Sequence, residues 1–403
     1  MSRRMRLRWG LVGAVTALLV VSCTVAEKKA PAGPSFRNAP ESPLFVGPQA
    51  GRPEVGDVNG DGLLDIVVAC GACCGDRHQP TGGHVVVLLG DGRGGMRDAE
   101  GSPHKVGPTA RKVALGDVDG NGSLDIAVAE HDSNAVTILV NDGKGRFAAL
   151  PTRPEIAPSS VRPHTHAIAI ADVNVDGKSD LIATSANAGA IAVMLGDGKG
   201  GFAHAAGSPM RVGRHPYDAI AIGDLNGDGK PDIVTPDMHG NAIVALLGSG
   251  SGTFAHAPGS PVAVDQRPGY VAIGDVNRDG NLDAIASHDD YGILDILLGD
   301  GTGRLTPAPG SPIRVALPIW GLTIADINGD WCPDIVGGVA GGRNVLVFWN
   351  DGKGGFAEER TLRSEAGDGA GHLSIADLNR DGRPDIVTGN YDSGDVSILI
   401  NNR

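Results

Sequence analysis

Seven times along 403 residues the chain sets carboxylate and amide side chains at one spacing. In DLNGDGKPD (224–232) they stand at positions 1, 3, 5 and 9, as Asp224, Asn226, Asp228 and Asp232, with Gly229 at position 6. Several hard oxygen donors within nine residues, and a glycine at the sharp turn, match the opening of an EF-hand loop, whose chemistry is calcium coordination; the position-7 carbonyl adds a further oxygen. The other six sets are Asp57, Asn59, Asp61 and Asp65; Asp117, Asp119, Asn121 and Asp125; Asp172, Asn174, Asp176 and Asp180; Asp275, Asn277, Asp279 and Asp283; Asp326, Asn328, Asp330 and Asp334; and Asp377, Asn379, Asp381 and Asp385. The sixth loop carries Trp331 where the others have glycine, followed by Cys332.

Charge agrees with bound cations. These loops hold 21 of the 47 acidic residues. Removing Arg3, Arg4, Arg6 and Arg8 with a leader takes the formal charge from −13 to −17, and seven Ca²⁺ would return it to −3. The competing reading is that Asp, Asn and Gly are here as turn formers alone. Up to seven structural Ca²⁺ are the expected cofactors.

The flanks are AIAIG and IVTP, which read as β-strands rather than helices. The loop starts differ by 60, 55, 52, 51, 51 and 51 residues, a repeat of the size used by propellers and arrays. One unit reads as AIAIGD, the acidic loop, DIVTP, a polar turn, AIVALLG, the hairpin GSGSGTF, and a weak Pro-bearing edge strand, AHAPGSPVAV. Four short strands in each of seven units predict an all-β, seven-bladed β-propeller of antiparallel blades. The last unit stops after its third strand, at Ile398–Asn402, while FRNAPESPLFVG (36–47) parallels FAHAAGSPMRVG (202–213). The N-terminal segment is therefore expected to complete the seventh blade and remove an open edge.

The seven loops, with the hairpins LGDGRGGM, VNDGKGRF, LGDGKGGF, LGSGSGTF, LGDGTGRL and WNDGKGGF, make residues 36–403 similar to the FG-GAP/VCBS repeat family. That family includes integrin α propeller heads, some fungal lectins and many bacterial surface proteins. The resemblance implies the propeller fold and speaks weakly to function, because one scaffold hosts many. A clear FG before the first strand and GAP after the second are missing, so integrin adhesion is not implied.

In a propeller the acidic loops and the third-to-fourth-strand hairpins share one face. The crossovers and the loops after the second strands share the other, where a ligand is expected around the central channel. Those segments carry eight of the 12 histidines and all four tyrosines. Candidate ligand residues are His164, His166, His215, Tyr217, Asp218, Tyr270, Trp320, His372 and Tyr391. Aromatic faces stack on sugar rings, while His and Asp fix hydroxyls. The bland alternative is polar loop tips and an aromatic channel plug. Two others use the same residues: a lyase-like reaction on a polysaccharide with a His or Tyr base, or a transition metal on imidazoles.

The N-terminus reads as a leader. A basic stretch precedes the apolar run Leu11–Val21, too short to span a membrane, and Val20-Val21-Ser22-Cys23 resembles a bacterial lipobox. The resemblance implies a signal peptide over 1–22, lipid on Cys23, a tether over 23–35, and a protein displayed outside the cytoplasm on the cell envelope. No other segment is long and apolar enough to cross a membrane. Cys70, Cys73 and Cys74 share an insertion with His78 and His84; a disulfide with one thiol left over and a Cys/His metal site both remain open. The acidic charge speaks against nucleic acid. The function expected is binding of a glycan or protein ligand at the cell surface; an enzyme and a structural module of an envelope complex are the competing classes.

Overall fold

A computed structural model describes residues 34–71, 82–107, 109–339, 341–356, 358–363 and 367–402. The proposed leader, Cys23, Cys73, Cys74 and His78 lie outside them. Among the described residues no helix is long and apolar enough to cross a membrane.

Seven antiparallel sheets follow one another along the chain. In the fourth, the strands are Ala221–Gly223, Asp232–Asp237, Ala242–Gly248 and Phe254–His256, with a two-residue edge segment, Val262–Ala263, returning to the third strand. First strands of neighbouring blades contact one another, so they line the centre. Second and third strands are apolar on both faces, DIVVAC and HVVVLLG in the first blade being wholly buried. Both faces need cover because each blade is sandwiched between two others. The apolar residues accordingly fall into seven clusters, each shared by adjacent blades. One joins blade seven to blade one, placing Val387 and Ile398 with Ile66 and Val86.

The fourth strands behave as edges. Phe254–His256 is half-buried to exposed, and it breaks before Gly259-Ser260-Pro261. Ser260 bridges the gap by accepting the Ala245 amide proton on its hydroxyl at 2.9 Å, and Ser42, Ser102, Ser208 and Ser311 repeat that bond. In the last sheet the outer position is taken by Phe36–Asn38, paired with Asp395–Asn401 from Phe36↔Asn401 to Asn38↔Leu399. Leu44–Phe45 pairs further along the same strand.

Candidate functional site

The seven acidic loops share one hydrogen-bond plan. The position-1 carboxylate accepts the amide of position 6, as Asp224 does from Gly229 at 2.8 Å, in all seven. Position 3 accepts from position 5, and position 5 from position 7, again seven times each. The loop therefore folds its side chains inward upon its own backbone. Gly229 has φ +78°, the left-handed region where a side chain is disfavoured. Trp331 adopts φ +68° in the sixth loop, with its side chain 72% exposed, and that loop keeps the shared bonds.

The position-9 aspartates do something the spacing did not announce. Asp65, Asp125, Asp180, Asp232, Asp283, Asp334 and Asp385 are wholly buried. One oxygen of each accepts the position-2 amide, Leu225 to Asp232 at 2.8 Å. The other accepts an amide at the end of the third strand, Gly248 to Asp232 at 2.7 Å. Each therefore ties loop, second strand and third strand together. Burial pushes Asp65, Asp125, Asp283 and Asp385 up to about 6 and Asp334 to about 7; the two amide donors oppose it, and the neighbouring loop carboxylates add to it. A hard cation would relieve that crowding. The donor set fits one: in the second loop, oxygens of Asp117, Asp119 and Asp125 lie within 4.8 Å of one another.

Adjacent blades are locked on this face by side-chain amides. Asn141, Asn350 and Asn401 donate Nδ2 to Val58, Val276 and Ile327 in the preceding blade's loop, at 2.7, 2.8 and 3.1 Å.

At the opposite mouth, the nine candidate ligand residues form one connected group. His164 and His166 face each other, Nε2 to Nε2 at 2.8 Å. Ring contacts continue from His164 to His215 and from His166 to Tyr217, with centroids 4.9 and 4.3 Å apart. His166 Nδ1 is buried without a hydrogen-bond partner, 3.9 Å from Asp218 Oδ2. Tyr270 donates its hydroxyl to that same oxygen at 2.7 Å. Tyr270 then meets His372, His372 meets Trp320, and Trp320 meets Tyr391 edge-on.

Much of this group is packed inside rather than displayed. Asp218, His166, His215, Tyr270 and His372 are buried, while His164, Tyr217, Trp320 and Tyr391 are half-buried. Burial holds His164 down to about 3 and His215 and His372 to about 4, with neighbouring imidazoles pressing the first two further. Burial alone would raise Asp218, but the Lys112 ammonium and then His166 hold it well below the usual carboxylate range. Lys112 Nζ is 3.6 Å from Asp218 Oδ1 and also donates to the Asp218 carbonyl.

A recess beside Asp218 is lined by Gln49, Arg52, Arg111, Lys112, His372 and Tyr391, and Glu54 stands behind it beside Arg52. Its volume of about 10 Å³ is that of one water. Arg111 donates to the Tyr391 hydroxyl at 3.0 Å and lies over its ring at 5.2 Å. Arg52 Nε makes no hydrogen bond, but it stands in an ion pair 3.7 Å from Glu54 Oε1. Sequence reasoning missed Arg111, because alternation in a strand sends it and Lys112 to opposite sides. The inner strand bulges here: Ala110 pairs Glu130 and Lys112 pairs Ala129, so Arg111 is the extra residue. A bulge re-aims side chains, and the same irregularity releases Trp320 between Ile319 and Gly321. Only the adjacency of Arg111 and Lys112 at a crossover hinted at it. A close backbone approach shapes the recess, since a Cβ on Gly51 would stand 2.2 Å from the Arg111 carbonyl oxygen.

Cys332 is buried in the sixth acidic loop near Arg278, on the face away from Cys70. Cys70 packs in the core between blades seven and one, its Sγ 3.6 Å from the Val46 carbonyl.

Fold and loops together define a seven-bladed propeller built from repeats with an acidic loop between the first two strands. Overlapping matches to the FG-GAP-like repeat run through residues 57–128, 117–183, 172–235, 224–286, 275–337 and 326–388, and the chain belongs to that family. No curated protein matches the sequence. Among solved structures, BBS1N in complex with ARL6DN is similar at 14% identity and a TM-score of 0.61, covering 91% of this chain and 97% of that one. An Agrocybe aegerita lectin, solved for its recognition of non-reducing terminal N-acetylglucosamine, is 20% identical with a TM-score of 0.52, covering 86% and 87%. The periplasmic gluconolactonase PpgL of Pseudomonas aeruginosa is 14% identical with a TM-score of 0.56, covering 76% and 84%. At these identities the likeness is one of fold.

Proposed function

We propose that this protein is a calcium-stabilised propeller, lipid-anchored to the cell envelope through Cys23, that binds a carboxylate-bearing glycan at the mouth opposite the acidic loops. One observation carries the choice of ligand: Arg52, Arg111 and Lys112 converge beside Tyr391 in a chain whose net charge is −13. A guanidinium fork suits a carboxylate, and the Trp320–Tyr391 edge offers aromatic surface to a sugar ring. The recess admits one water, so the ligand rests on the mouth and does not enter the channel. Calcium is the ion whose chemistry suits the seven oxygen-donor loops, where it would hold strand to strand. On similar folds a lectin and a complex with a partner protein are both known. A protein ligand is thus the second outcome to test.

A lyase-like role has less support. Its tyrosine base would be Tyr270 or Tyr217, yet burial, and then the Asp218 charge, raise both phenols above their ordinary range.

The test is to incubate calcium-loaded residues 24–403 with acidic and neutral polysaccharides, recording both retention and new chain ends. Retention on uronate-containing chains, lost in Arg111→Ala, supports the proposal. New chain ends make the protein an enzyme. Silence in both channels rejects the glycan ligand for that panel and turns the search to protein partners.

A further inference from the structure

Five of the 12 histidines gather on one side of the ligand mouth. His131 follows the second strand of blade two, His164 and His166 lie in the crossover entering blade three, and His215 and His239 belong to blade four. The rings of His131, His164 and His166 are mutually adjacent, with centroids 4.5 to 5.0 Å apart. One ring nitrogen from each can be chosen so that all three lie within 4.8 Å of one another.

Two imidazole nitrogens on one zinc ion, each about 2.0–2.1 Å from it, stand about 2.9–3.4 Å apart for angles from 90° to tetrahedral. The 2.8 Å between His164 and His166 Nε2 is close to that separation. The outer partners fit as well. His131 Nδ1 meets Asp132 Oδ1 at 2.7 Å, which leaves Nε2 as the ligand atom. Thr109 in turn fixes Asp132 with a 2.6 Å bond. His166 Nδ1 stands 3.9 Å from the Asp218 carboxylate and has no other partner. A ring whose far nitrogen faces a carboxylate is the usual support of a metal-bound histidine.

The backbone that carries the three rings is held in place. Thr165 donates its amide to the His131 carbonyl at 3.4 Å and its hydroxyl to the Ser133 carbonyl at 3.1 Å. Ala186 donates to the His164 carbonyl at 2.9 Å. Three imidazoles on a fixed frame, His131 and His164 half-buried and His166 buried, make a set that nitrogen-preferring divalent ions favour and calcium does not.

We propose that His131, His164 and His166 bind one transition-metal ion, Zn²⁺ foremost, at the ligand mouth, separate from the acidic loops. The site stands or falls independently of the glycan reading, since it uses none of Arg52, Arg111 or Lys112.

The test uses the full-length chain, stripped with chelator and returned to excess calcium so that the oxygen loops are occupied. Co²⁺ is titrated in as a spectroscopic probe and then displaced by Zn²⁺. The expected result is one Co²⁺ per chain, with d–d bands and no sulfur-to-cobalt charge transfer. Affinity should fall more than roughly 100-fold in His164→Gln and His166→Gln, and roughly 10-fold in Asp132→Asn, a positioning residue. His256→Gln, in the exposed fourth strand of blade four, should bind as the parent does. Because His166 is buried, each variant's melting is followed; if His166→Gln does not fold, the half-buried His131→Gln carries the same test. Absence of stoichiometric uptake, uptake that survives the histidine changes, or a spectrum of thiolate ligation would each overturn the proposal.

Discussion

Replacing Asp232 and replacing Asp228 should have opposite signatures with and without calcium. Asp232 accepts the Leu225 and Gly248 amides on its two oxygens, at 2.8 and 2.7 Å, and it is wholly buried. Asp232→Ala strands both donors inside the protein. At about 1–3 kcal/mol for each unsatisfied group, the loss is about 2–6 kcal/mol even when chelator has removed every ion. Unfolding some 370 residues carries an entropy of about 0.8 kcal/mol per kelvin, so melting should fall by about 3–8 °C. Asp228 is different. It lies at the exposed tip, and its Oδ1 accepts the Lys230 amide at 3.0 Å, a bond an asparagine oxygen can keep. Its contact with Lys230 Nζ at 3.0 Å is a surface ion pair of small worth. In chelator, Asp228→Asn should therefore melt within about 1 °C of the parent. In calcium it removes one charged ligand from one loop, so equilibrium dialysis at a free calcium that just fills the parent's loops should find about one ion fewer per chain. The assay is differential scanning calorimetry in chelator and in calcium, with dialysis alongside. Asp232→Ala as stable as the parent in chelator would refute the buried-staple argument. Undiminished calcium binding by Asp228→Asn would refute the metal reading of that loop.

Three further outcomes follow from other parts of the ring. Asn350→Ala removes Nδ2 bonds of 2.8 Å to both Val276 and Pro333, and should cost about 1–3 kcal/mol, read as a lower urea midpoint with the slope unchanged. Trp331→Gly relieves a left-handed non-glycine residue whose ring is mostly in water, and should stabilise by about 1 kcal/mol in chemical denaturation. His372 is held at about 4 by burial, against an ordinary 6.5, so the unfolded chain takes up a proton that the folded chain refuses. That stability is intact above pH 6.5 and is lost as pH falls, amounting to about 3 kcal/mol by pH 4. The His372→Gln variant should accordingly lose stability less steeply than the parent between pH 6.5 and 4.

The sequence alone settled the large features, because they rest on local rules repeated seven times. Strand period, glycine placement and a spacing near 51 residues require only neighbours along the chain, and they specify blades and acidic loops without knowledge of contacts. The parallel between residues 36–47 and 202–213 pointed to the outer strand of the last sheet for the same reason. What only the tertiary structure decided are the relations between blades. Position 9 read as a fifth oxygen ligand of its loop; its bonds to an amide at the end of the third strand, 16 residues away in six blades and 25 in the first, appear only once the sheet is formed. Tyr270, His372 and Asp218 read as a displayed surface, yet they sit largely inside because the inner strands converge on the axis. Arg111 escaped notice because a bulge, not an alternation, aims it. The pairing of His131 with His164 and His166 depends on the loop after the second strand of blade two meeting the crossover into blade three. Separation along the chain holds no trace of that, since blade packing, not sequence distance, sets which loops become neighbours.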